Sequence, residues 1–74
     1  MTRLQVIRGE IALLQTRLSQ LRSSQENLNR VVGLEIADPK IREWADIQIH
    51  INQREIDSVM AALLDAEAEE HQLR

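Results

Sequence analysis

The sequence predicts an all-α protein, an antiparallel two-helix hairpin of the coiled-coil type. Of the 74 residues 43% are hydrophobic, yet one tryptophan is the only aromatic residue, so the core must be aliphatic. Two glycines and one proline leave room for few turns. The chain has no cysteine and two histidines, which excludes disulfides and disfavours a structural zinc site. A chain this short buries little surface, so we expect it to gain stability by oligomerising or by binding a partner.

The first helix is predicted over about residues 2–32, because apolar residues recur there at alternating steps of three and four. Its seam reads Leu4, Ile7, Ile11, Leu14, Leu18, Leu21, Gln25, Leu28 and Val32. Gln25 is the only polar member. We expect Gly33 to end this helix in a left-handed cap, with Leu34 folded back on Leu28.

A corner over residues 33–38 leads into the second helix, predicted over about residues 39–72. Asp38 is a good N-cap, and Pro39 suits the first helical position, where its missing N–H costs nothing. The second seam reads Arg42, Ala45, Ile49, Asn52, Ile56, Val59, Leu63 and Ala66. A short corner between two long helices favours an antiparallel hairpin that occupies residues 1–74 as a single domain.

The two seams can be aligned so that Leu18 faces Asn52 and Gln25 faces Ala45. Charge agrees with this alignment, since residues 1–32 hold five arginines against two glutamates, and the remainder holds ten acids against four bases. We therefore expect Arg3 and Arg8 to lie beside the acidic end of the second helix. Its acids are Asp65, Glu67, Glu69 and Glu70.

The outer side of the first helix is unusual because it carries almost no charge. With Leu4 at heptad position a, small or apolar residues occupy the outward positions c and f, among them Val6, Gly9, Leu13 and Thr16. A solvated helix normally places charges there. We interpret this stripe as a contact with a second protein surface; the alternative is that small polar residues simply solvate the face.

The second helix has an apolar ridge beside its seam, formed by Trp44, Ile47 and Ile51. A two-helix hairpin cannot cover both the seam and this ridge, and tryptophan is enriched at interface hot spots. Trp44 is therefore the expected anchor; the alternative is that it caps the core near the corner. The polar seam residues Gln25 and Asn52 are expected to specify register, and Asn52 could meet its own copy on a twofold axis.

No catalytic, cofactor or metal site is expected. The serines have no histidine at a relay spacing, and no glycine-rich phosphate loop is present. One helical face does carry Glu43, Asp46, His50 and Asp57. The Glu-x-x-His pairs of carboxylate-bridged metal bundles are missing, so we interpret that face as charged side chains in contact with water. We therefore expect that the protein is not an enzyme.

The function predicted from these features is protein–protein interaction. The chain would be a structural or adaptor subunit that self-associates into a four-helix bundle, or alternatively a small regulator that docks a helix face on a host protein. The architecture is also similar to the small dimeric hairpins of the RNA-binding Rop type, but a net charge of -3 and no aromatic on the first helix disfavour nucleic acid. No membrane span or signal peptide is recognised, so a cytoplasmic location is expected.

Overall fold

A computed structural model describes residues 1–34 and 38–74 and contains two α-helices that pack against each other. Helix α1 spans Arg3–Gly33 and helix α2 spans Pro39–Leu73, and the described residues contain no strand. The molecule measures 53 × 14 × 14 Å. The prediction of an all-helical, two-helix protein is confirmed. Neither helix has a stretch long and apolar enough to cross a membrane.

Helix α1 begins with a capping box that the sequence pattern Thr-x-x-Gln encodes. The Thr2 hydroxyl accepts a hydrogen bond from the Gln5 N–H at 3.2 Å, and the Gln5 side chain accepts one from the Thr2 N–H at 2.9 Å. Two backbone donors that the helix would otherwise leave free are thus satisfied.

The end of α1 differs from the expected left-handed glycine cap. Gly33 does not have a positive φ and is the last helical residue. The Leu34 N–H donates to the Val31 carbonyl at 3.2 Å from an extended backbone. Leu34 is also exposed rather than folded back on Leu28. The prediction was wrong because this single bond closes the last turn without a left-handed residue.

Helix α2 begins as the Asp-Pro pair predicts. The Asp38 carboxylate accepts a hydrogen bond from the Lys40 N–H at 2.8 Å, and Pro39 occupies the first helical position. Residues 35–37 of the predicted corner lie outside the residues that the structure describes.

The core follows the two predicted seams. Every predicted seam residue of α1 is buried or half-buried, and so is every one of α2 except Arg42, which is exposed. The central cluster contains Leu18, Leu21 and Ile56, with Val59 and Leu63 packed against it. Arg42 was wrongly assigned because the step of three and four continues through it, while its charged side chain is more stable in water.

The expected facing of Leu18 with Asn52 is not what the structure shows. The Asn52 side-chain amide donates to the Leu21 carbonyl at 2.9 Å and to the Gln25 side chain at 2.8 Å. These contacts pair Asn52 with Leu21 and Gln25, so the helices are displaced from the expected alignment towards these residues. The physical reason is that half-buried polar groups need partners, and this displacement pairs the polar residues of the two seams with each other.

Candidate interaction surface

The ridge of Trp44, Ile47 and Ile51 forms an exposed apolar cluster on α2. Their exposed fractions are 54%, 51% and 47%. Ile41, three residues before Trp44, is also exposed and extends the ridge towards the corner. Sequence reasoning missed Ile41, although its spacing of three residues from Trp44 is the helical signal that would have found it.

Two open grooves of about 350 and 340 Å³ border this ridge, and Ile51 lines both of them. The first groove runs between the helices, with Trp44 and Ile51 on one side and Ser24, Asn27 and Leu28 on the other. The second lies on the outside of α2 and includes Ile47. The patch thus combines projecting apolar side chains with concave surface directly beside them.

The predicted contact stripe on α1 is less uniformly exposed than the ridge on α2. Leu13 is 73% exposed and Val6 is half-buried, while Gly9 and Thr16 are exposed. The Thr16 hydroxyl donates to the Ala12 carbonyl of its own helix at 3.0 Å, so its donor is already used. A Cβ added to Gly9 would meet no atom within 4 Å, so packing within the chain does not require glycine there.

The structure places the two predicted contact surfaces in different halves of the molecule. Trp44 and Ile51 border a groove with α1 residues 24–28. The stripe on α1 precedes Arg17, which forms an ion pair with Glu55 at 2.7 Å. The ridge residues precede Glu55 on α2, and the stripe residues precede Arg17 on α1. Each surface is a separate candidate contact.

Gln25 and Asn52 form one polar unit inside the seam. Both are half-buried, and no buried side-chain polar atom in the described ranges lacks a hydrogen-bond partner. Both amide hydrogens of Asn52 are directed to α1, at the Leu21 carbonyl and the Gln25 side chain. Within the chain Asn52 therefore contacts α1, and the hypothesis that it meets its own copy stays a prediction.

Charged residues divide the molecule into two zones. Arg3 pairs with Glu69 at 2.6 Å and Arg8 with Glu70 at 3.5 Å, as expected from the acidic end of α2. Around the ridge, five charged side chains of α2 form no ion pair with another described residue. They are Lys40, Arg42, Glu43, Asp46 and Arg54. This zone therefore offers charges of both signs to a partner.

The charged face of α2 does not assemble a metal site. Within the described ranges, no three histidine or acidic side chains lie close enough together to hold a metal ion. The His50 ring nitrogen Nδ1 instead lies 2.8 Å from the Asp46 carbonyl oxygen of the same helix.

Fold and surface together define an all-α two-helix protein with an apolar ridge on the outside of one helix. Comparison with protein-family models, with curated proteins and with solved structures finds no significant match to the chain.

Proposed function

We propose that the chain is a non-enzymatic protein–protein interaction module, an antiparallel helical hairpin that self-associates as a structural or adaptor subunit. The single observation that carries the proposal is the exposed ridge of Trp44, Ile47 and Ile51. Apolar surface of this kind costs free energy in water, and a protein contact that covers it recovers that free energy.

The order of the interhelix contacts supports the antiparallel orientation. Along α1, Arg3, Arg17 and Gln25 follow one another, and their respective partners on α2 are Glu69, Glu55 and Asn52. The partner numbers fall as the α1 numbers rise. Helices that run in opposite directions produce this order.

The total exposed area supports a second protein surface. The chain exposes 5717 Å², whereas a compact monomer of 8.5 kDa exposes about 4,700 Å². The elongated shape of 53 × 14 × 14 Å accounts for this excess of about 1,000 Å², and a standard interface buries roughly 800 Å² on each partner. A second copy of the chain is large enough to cover it.

Sedimentation equilibrium over a wide concentration range tests the proposal. We expect a mass that rises from one chain to a discrete multiple with increasing concentration. A single-chain mass at every concentration would contradict self-association. That result would favour the alternative, a small regulator whose ridge docks on a foreign protein.

The Rop-like alternative receives less support from the contacts. Three of the arginines that it would use on α1, Arg3, Arg8 and Arg17, are each paired with a glutamate of α2. Their charge is partly neutralised within the chain, which weakens the attraction to phosphates.

A further inference from the structure

We propose that the ridge of α2 is the self-association contact, formed by two copies about a twofold axis with Trp44 of one copy packed on Ile51 of the other. This inference rests on the proposed self-association and specifies its location and symmetry. The occupant is a second copy because the patch holds both a projecting tryptophan and the groove beside it. A surface that carries both shapes can be complementary to itself, as a twofold contact requires.

The spacing of residues on α2 adds charge complementarity to this shape. Lys40 lies four residues before Trp44, and Glu55 lies four residues after Ile51. When two α2 helices cross in opposite directions with Trp44 on Ile51, Lys40 of each copy comes to the level of Glu55 in the other. Glu55 already pairs with Arg17 of its own chain through Oε2 at 2.7 Å, so Lys40 of the other copy would approach the remaining carboxylate oxygen, Oε1. This attraction at both ends of the contact favours the correct partner and register.

The ridge is short, which limits where the contact lies. Residues 44–51 span about 10 Å of helix at about 1.5 Å per residue. The contact is therefore centred in the corner half of the hairpin, with the twofold axis passing beside Ile47. The α1 stripe and the acidic end of α2 remain outside it. The contact is therefore shorter than in a four-helix bundle, where the helices touch along the whole hairpin.

Trp44 provides a direct measurement, because it is the only aromatic residue and all intrinsic fluorescence above 290 nm excitation comes from it. Sedimentation and Trp44 emission would be recorded on the same samples across the concentration range. We expect the emission maximum to shift to shorter wavelength, and acrylamide quenching to fall, in parallel with the rise in mass.

The possible outcomes separate this inference from the proposed function. A rise in mass with unchanged Trp44 emission would show that the copies meet elsewhere; the contact assigned here would be wrong while self-association survives. A constant mass and constant emission would contradict both.

Two matched substitutions test the location independently. Ile47→Glu places a charge beside the twofold axis, and we expect it to weaken association at least about tenfold. Leu64→Glu introduces the same charge at another exposed aliphatic residue of α2, 66% exposed and outside the ridge, and should leave association unchanged. Equal effects of the two variants would overturn the assignment, and circular dichroism verifies that both stay helical.

Disulfide trapping tests the symmetry. The chain has no cysteine, so Ile47→Cys and Leu64→Cys each introduce a single thiol. Because the axis passes beside residue 47, we expect Ile47→Cys to form a covalent dimer on mild oxidation and Leu64→Cys to remain monomeric on gels. Covalent dimers of Leu64→Cys, without those of Ile47→Cys, would overturn the twofold arrangement.

Discussion

The polar pair Gln25–Asn52 is the residue-scale feature that fixes how the helices align. Their side-chain hydrogen bond of 2.8 Å links polar members of the two seams. Apolar packing alone specifies alignment weakly, because both seams step by three and four, and a slide of one turn still sets aliphatic residues against aliphatic residues. The cost of leaving either amide without its partner makes the observed alignment the preferred one.

A double-mutant cycle with Gln25→Leu and Asn52→Leu measures this preference. We expect a coupling free energy of about 0.5–1.5 kcal/mol, because each single change removes the bond between the two side chains and leaves the other amide with one partner fewer. In Gln25→Leu the Asn52 amide keeps its bond to the Leu21 carbonyl. The double variant should be the most stable of the four proteins, because both helices then carry an apolar side chain at this point of their seams. Urea unfolding at one fixed protein concentration gives the values. Additive single effects would show that the bond does not set the alignment.

Gly9 tests whether the α1 stripe is a contact point. An added methyl group meets nothing within 4 Å in the chain, so Gly9→Ala should raise the free energy of unfolding by about 0.5–1 kcal/mol through helix propensity. The reverse change Ala12→Gly, at another exposed position of α1, is the control and should lower it by a similar amount. Thermal unfolding by circular dichroism measures both. A loss of stability in Gly9→Ala would instead show that another surface approaches the backbone closely there.

At the scale of the elements, each helix has its start encoded within a few residues. At α1 a threonine and a glutamine satisfy each other's backbone donors, and at α2 the Asp38 carboxylate binds the Lys40 N–H. We expect Asp38→Ala to destabilise the protein by about 1 kcal/mol because that donor is left without its cap, and Asp38→Asn to retain most of the stability. Chemical denaturation of the three proteins measures the difference, and equal losses in both variants would contradict a capping role.

A structural element can be predicted from the sequence when the interactions that form it join residues close together in the chain. The two seams and the Asp38–Pro39 start involve neighbours along one helix, and they were predictable. The end at Gly33 was not, because the Leu34 N–H could either join a left-handed cap or donate to Val31, and the sequence does not distinguish these. The alignment was missed for a related reason: Gln25 and Asn52 were each recognised as unusual, but their bond joins separate helices.

The sequence predicted which residues form the contact surface, but it did not predict how they pack against a second surface. Two helices can bury only one seam each, so the exposure of Trp44, Ile47 and Ile51 follows from their positions beside the α2 seam. The sequence of one chain does not contain the surface that covers them. The symmetric contact inferred above uses information that appears only in three dimensions, namely a groove that includes α1 residues.

At the scale of the whole molecule, length and helix orientation give the last prediction. For an antiparallel hairpin, residue 10 lies beside residue 62 and about 22 residues away from residue 40 along the axis. Spin labels on Glu10→Cys and Ala62→Cys should therefore be separated by little more than the interaxial distance of about 10 Å plus the label arms. Labels on Glu10→Cys and Lys40→Cys should be about 33 Å apart or more, at about 1.5 Å per residue.

Pulsed electron–electron double resonance measures these distances. Dilution of the labelled protein with an excess of unlabelled chain removes contributions from neighbouring copies. The two pairs share one labelled position, and all three sites are exposed, so each pair is the control for the other. Parallel helices would exchange the order, with the Glu10–Lys40 pair short and the Glu10–Ala62 pair long. A repeat without the unlabelled chain adds the distances between copies. For a twofold contact at Ile47, the Lys40 sites of two copies would be about 20 Å apart along α2, well inside the 53 Å length of one hairpin.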